Sequence, residues 1–261
     1  MSDEMTFLDH IEELRWRIVK IFIGMIVPVI VAMIFYEELF ILLKMPITST
    51  ESLQKILAVF HLEAMLPDMK REIILQAINP TDTFLTALKI AFTVGLFASF
   101  PFTIYQIWAF VSPALSTDEK KHTLPVVFFA TLFFITGGAF AYFIVTPFAF
   151  NFFASFANGL VENQWGVAEY FDQVLKFLIT FGLIFELPCI AFVLARLGLI
   201  TPAFLREYRR YAIVVILVLS SILTPPDIVS QFMMGVPLYG LYEVSILIVA
   251  IFRPKSPFDE E

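Results

Sequence analysis

Six stretches of this sequence are long and apolar enough to be read as crossings of a lipid bilayer, and that pattern constrains the fold first. A spanning helix needs about 20 mostly apolar residues, because the hydrocarbon core is about 30 Å thick and a helix rises 1.5 Å per residue. The stretches run from about Ile18 to Tyr36, Phe84 to Phe110, Leu124 to Thr146, Phe171 to Leu197, Tyr211 to Leu223 and Val229 to Phe252. The fifth is short, and only Thr224-Pro225-Pro226-Asp227 separates it from the sixth. It must thin the membrane locally or lean on neighbours; a re-entrant hairpin is the other arrangement open to that pair. Acidic residues Asp3, Glu4, Asp9, Glu12 and Glu13 precede the first stretch, unlike the basic start of a cleaved signal peptide, so it is expected to stay.

Composition narrows the function classes. The chain is 59% hydrophobic and 16% charged, against about 45–50% and about 25% in soluble domains. That excludes a soluble enzyme and a disordered chain, and the net charge of -7 argues against nucleic acid as a partner. A single cysteine, Cys189, excludes a disulfide framework. His10, His61 and His122 fall on both sides of the membrane, so no metal site is expected. No phosphate loop, metalloprotease motif or nucleophile elbow is present, and neither catalysis nor a cofactor is expected.

Orientation follows from the basic residues. With the N-terminus inside, eleven of the 17 Lys and Arg are cytoplasmic: Arg15, Arg17, Lys20, Lys120, Lys121, Arg196, Arg206, Arg209, Arg210, Arg253 and Lys255. The other six are Lys44, Lys55, Lys70, Arg71, Lys89 and Lys176. The excess predicts both termini inside. The expected fold is an all-α integral membrane protein of six kinked, unequal helices in one polytopic domain, forming a concave, cup-like bundle.

The connections carry structure as well. Thr6 and Asp9 have the form of a capping box, and Phe7, Ile11, Leu14 and Ile18 recur on one face. Residues 1–17 are therefore expected to form an amphipathic cytoplasmic helix leading into the first span. Glu13 and Arg17 stand at i,i+4, which by spacing alone reads as an ion pair worth about 0.2–0.5 kcal/mol. The outside loop, 37–83, is expected to hold short amphipathic helices. Leu53, Ile56, Leu57 and Phe60 suggest one; Ile73, Ile74 and Ala77 suggest a second, ended before Pro80.

Glu186 is the most informative residue. It lies within the fourth apolar stretch, in Phe185-Glu186-Leu187-Pro188, where a charge at the bilayer centre costs about 2.5–3.5 kcal/mol on insertion scales. Pro188 removes a helix hydrogen bond and frees the carbonyl of Ile184. Two readings stay open: a buried carboxyl bonded to another helix, or a site on a substrate path or subunit interface. Pro28, Pro101 and Pro237 also fall in spans, and Gly137-Gly138 permits close helix approach.

Four ordered motifs on these spans resemble the TatC family, the polytopic core of the twin-arginine protein translocase. They are His10-Ile11-Glu12-Glu13-Leu14-Arg15-Trp16-Arg17, Tyr105-Gln106-Ile107-Trp108-Ala109-Phe110-Val111-Ser112-Pro113-Ala114-Leu115, Phe185-Glu186-Leu187-Pro188, and Leu223-Thr224-Pro225-Pro226-Asp227-Ile228-Val229-Ser230-Gln231. The resemblance covers about Phe7 to Phe252. It implies a receptor without enzymatic activity in a prokaryotic inner membrane. Such a receptor binds twin-arginine signal peptides of folded proteins at the cytoplasmic face and joins single-span partners of the TatA and TatB type, in an oligomer driven by the proton-motive force. It implies that Glu13 and Glu119 meet the two signal arginines, with Arg15 and Arg17 in the same binding motif. It implies partner or signal-peptide contacts for Glu186 and Gln231, and outer-cap and helix-contact roles for Pro46 and Asp227. Two departures are visible: a longer first outside loop, and Lys120-Lys121 where the family commonly has arginines. The rival from another class is a proton-coupled transporter of a small solute, using Glu186.

Overall fold

The computed structural model describes residues 7–48, 74–111, 123–156, 164–223 and 228–252. Glu119, Asp227, Thr6, Lys120-Lys121 and the helix expected around Leu53–Phe60 all lie outside the described residues.

The described chain is helical apart from one pair of three-residue strands. Helix α1 runs unbroken from Phe7–Ile34, so the amphipathic segment and the first span are one element. Tyr36–Thr48 forms α2, followed by strand β1 (Ile74–Gln76) and the long α3 (Asp82–Val111). Next come α4 (Thr123–Phe140) and α5 (Thr146–Phe156), joined through one wider helical turn over Ala141–Val145. In that turn Thr146 N–H donates five residues back, to the carbonyl of Ala141. Pro147 lacks an N–H, and the widened turn carries the helix past it where counting apolar residues stops.

Strand β2 (Gln164–Gly166) leads directly into α6 (Val167–Phe185) and α7 (Leu187–Arg196). Gly198, at φ 71, closes the end of α7, with Gly198 N–H donating to Ala195 and Leu199 N–H to Leu194. A short α8 (Pro202–Glu207) starts at a Thr201 cap whose hydroxyl accepts from Phe204 N–H. Helices α9 (Arg209–Leu223) and α10 (Ile228–Phe252) complete the fold.

Five helical stretches among the described residues have the length and apolarity to cross a membrane: His10–Ile34, Asp82–Val111, Leu124–Ala154, Val167–Arg196 and Met234–Phe252. Helix α9, at 15 residues, is about 22 Å long and falls short of that measure.

Helix α6 is the centre of the bundle. Val167, Tyr170, Phe171, Val174, Leu178 and Phe181 fall at helical spacing and are all buried. They meet Leu43 and Ile47 of α2, Ile90 of α3, Phe150 of α5 and Leu238 of α10 in one cluster. Helix α1 instead packs along α3 and leaves Trp16, Phe22, Ile26 and Val27 exposed, the outward-facing apolar surface expected against lipid. Close approach is set by glycine: a Cβ on Gly137 would lie 2.4 Å from the carbonyl oxygen of Phe181.

The segment around Ile73–Ala77 corrects the sequence-based expectation of a helix. Residues 74–76 form a strand, parallel to β2, with Ile74 opposite Gln164 and Gln76 opposite Gly166. Three apolar positions fit either period, and the deciding partner lies some ninety residues away. Helix α2 was hidden for a different reason. Glu37 and Glu38 end the apolar run, yet they stand in the first turn of a helix, where acidic residues complement the helix dipole.

Candidate functional site

The starts of α1 and α4 and the ends of α3, α7 and α10 share one end of the bundle. His10 stacks on Phe110 with ring centroids 4.3 Å apart, joining α1 to α3. Trp108 and Val126 pack with Cys189, Phe192 and Leu197, joining α3, α4 and the end of α7. Phe192 meets Phe252 edge-on at 5.5 Å.

Glu13 sits at this end, half-buried on the face of α1 that looks toward α3. Arg17, one turn on, donates from Nε to Glu13 Oε1 at 2.9 Å and from Nη2 to the same oxygen. Its Nη1 donates to Gln106 Oε1 on α3 at 3.4 Å. Both strong bonds fall on one carboxylate oxygen. Glu13 Oε2 is buried and has no hydrogen-bond partner among the described residues; His10 Nδ1 stands 4.0 Å away. A half-satisfied carboxylate next to a buried amide has acceptor capacity left for a further cation, and guanidinium suits it because its planar fork delivers parallel N–H bonds. Arg15 is two residues from Glu13, about 200° around the helix, and is exposed outside this network.

The network brings together Glu13, Arg17, His10 and Gln106. Gln106 was missed as a site residue, although a lone amide near the end of an apolar span was a visible signal. It is 7% exposed.

Glu186 is buried where α6 stops and α7 starts. Pro188 stands in the first turn of α7, and Glu186 N–H turns back to Leu183 at 3.1 Å, so the helix breaks at the residue carrying the carboxyl. Its Oε1 has no partner among the described residues. Gln231, on α10, donates from Nε2 to the carbonyl of Leu217 on α9 at 3.0 Å and faces a shallow hollow with Val214, Val218 and Ser221.

Pro46 lies inside α2, buried, and a physical consequence is visible around it. Its missing N–H releases the carbonyl of Leu42, and the carbonyl of Leu43 stands next to it. Tyr142 Oη donates to Leu42 O at 2.6 Å and Tyr170 Oη to Leu43 O at 2.8 Å. Tyr142 thus supplies the donor that proline lacks, and Tyr170 ties the next carbonyl to α6.

A second charged cluster was also missed. Arg209 donates to Glu243 Oε2 at 2.7 Å, Tyr239 Oη to Glu243 Oε1 at 2.8 Å, and Tyr242 Oη to Leu205 O at 2.7 Å. It clasps α8 and α9 to α10. Glu243 is thereby a paired structural carboxylate. Among the described residues no three His, Cys, Asp or Glu side chains are grouped to hold a metal ion.

Comparison with known proteins gives one answer. The family model for the Sec-independent protein translocase protein TatC matches residues 9–237. The TatC protein of Desulforapulum autotrophicum is 36% identical over 261 residues, covering 100% of this chain and 90% of that protein. TatCy of Bacillus subtilis is 37% identical over 247 residues, covering 94% and 89%. A crystal structure of the twin-arginine translocase receptor TatC superimposes with a TM-score of 0.74 at 33% identity, covering 93% of this chain and 98% of that one. A second, in DDM, gives 0.77 at 32% identity, covering 92% and 98%. These likenesses favour protein translocation over solute transport through Glu186. Match length, identity and fold agree: this chain belongs to the TatC family of multi-pass membrane proteins, components of the Sec-independent twin-arginine translocase.

Proposed function

We propose that this chain is the receptor core of its translocase, binding twin-arginine signal peptides of folded cargo at the cytoplasmic face. Glu13 and Glu119 accept the two signal arginines. Single-span partners of the TatA and TatB type then assemble on the membrane-embedded surface, with Gln231 and Glu186 among the contact residues, and the proton-motive force drives export. The bundle is read as six spans, with both termini cytoplasmic and the kinked helices enclosing a concave cup. On this reading α9 is the short fifth span, and Pro46 and Asp227 shape the outer cap. The protein works as an oligomer in a prokaryotic inner membrane and carries out no catalysis.

The observation that carries this reading is the Glu13 carboxylate. Arg17, itself braced by Gln106, holds it in place through one oxygen, and its other oxygen is buried without a partner among the described residues. The test is binding of a signal peptide carrying Arg-Arg to the full chain in membranes, beside a Lys-Lys version. Arg-Arg should bind at least tenfold more tightly, about 1.4 kcal/mol. The doubly substituted Glu13→Ala, Glu119→Ala chain should insert normally and lose that preference. Equal binding of both peptides, or an undisturbed preference in the double variant, would refute the assignment.

A further inference from the structure

A groove runs between α4, α7 and α10 at the Glu13 end of the bundle, with a volume of about 400 Å³. Val126 and Phe129 wall it on one side, Cys189 and Phe192 on another, and Phe252 closes it. The lining is apolar apart from the Cys189 thiol and one charged group, Arg196, which stands in the last turn of α7 where the helix leaves the bundle. The Arg196 guanidinium lies 5.6 Å from the centroid of the Phe192 ring. It takes part in none of the ion pairs found among the described residues.

Dimensions select the occupant. Along α7 the groove runs from Pro188 to Arg196, eight residues or about 12 Å. That is a little less than half of the roughly 30 Å hydrocarbon core, the depth of a single leaflet. A transmembrane helix would have to continue across the whole membrane. The groove ends within one leaflet, is apolar along its length and carries its one charge at the mouth, which suits a lipid chain under its headgroup rather than a transmembrane partner.

We propose that this groove binds an anionic phospholipid of the leaflet on the Glu13 side, with one acyl chain between α4, α7 and α10 and the phosphate on Arg196. A guanidinium presents paired N–H groups to phosphate, and the Phe192 ring beneath it holds its plane. The preference for a net negative headgroup arises because a zwitterionic lipid brings its own cation to compete with Arg196. The Pro188 break contributes by opening the wall of α7 at the deep end.

Native mass spectrometry of the full chain, titrated with phosphatidylglycerol and with phosphatidylcholine, tests this directly. The unaltered chain should hold phosphatidylglycerol about fivefold more tightly, the effect of one basic residue near a membrane surface. Arg196→Gln should abolish the preference while phosphatidylcholine binding stays unchanged, and Arg196→Lys should keep most of it. Cys189→Phe, which fills the groove, should weaken both lipids. If Arg196→Gln yields no folded protein, the Lys and Phe variants still decide. Equal binding of the two headgroups by the unaltered chain, or phosphatidylglycerol binding untouched by Cys189→Phe, would overturn the proposal.

Discussion

Tyr170 and Pro46 show how single residues acquire meaning only in company. Proline inside a helix leaves a carbonyl without its donor, and in a low-dielectric interior that omission is destabilising. Here Tyr142 supplies that donor from outside α2, and Tyr170 bonds the neighbouring carbonyl of Leu43. Tyr170→Phe removes one buried hydrogen bond between α6 and the Leu43 carbonyl. It should destabilise the protein by about 1–2 kcal/mol, read as a lower thermal midpoint in detergent. Pro46 was legible in the sequence as a matched position, but its tyrosine partners were not, because the separations are 100 and 127 residues. Glu13 differs. Its i,i+4 pairing with Arg17 could be read directly, whereas the Gln106 contact, 89 residues away, needed the fold.

At the scale of elements, apolar run length identified the long helices, and irregularities in them followed proline and glycine. Gly137 lets α4 approach the backbone of α6, with no room for a Cβ. Gly137→Ala should push the two helices apart at a cost of about 1–3 kcal/mol, detectable as reduced resistance to thermal or detergent unfolding, because a backbone carbonyl cannot turn aside as a side chain can. Periodicity failed at 74–76, where a strand forms, since three residues carry too little pattern to separate the two periods. It also overlooked α2, whose leading glutamates look like the start of a loop until the helix dipole is considered.

The whole molecule is held by side chains that reach between distant elements near its two ends. Lys89 Nζ meets Asp172 Oδ1 at 2.6 Å, tying α3 to α6. Lys176 Nζ donates to Ile222 O at 3.1 Å, meeting a carbonyl of the last turn of α9, which has no partner within its own helix. Helix α9 otherwise packs chiefly on α8 and α10, so this bond links its C-terminal end to the central helix. Lys176→Met should leave the fold intact while raising backbone hydrogen exchange near Ser220–Leu223 severalfold, since one hydrogen bond to a charged donor is worth about 1.5–3 kcal/mol. Unchanged exchange there would show that α10 alone fixes the short helix. At the opposite end of α9 the Arg209–Glu243–Tyr239 cluster fastens it to α10.

The sequence by itself determined that this chain is a helical membrane protein and singled out the few charged residues on which the proposed function rests. Hydrophobic spans and basic-residue counts are local quantities, set by bilayer thickness and the penalty for burying charge. Its motifs also placed it in a family. Only the tertiary structure decided how those charges are held: which oxygen of Glu13 is occupied, which tyrosines bond the carbonyls of Leu42 and Leu43, and which helix end Lys176 caps. It also shaped the groove that ends at Arg196. The reason is physical: hydrogen bonds are made at about 3 Å between groups that the chain can separate by a hundred residues, and nothing in a local pattern carries that distance.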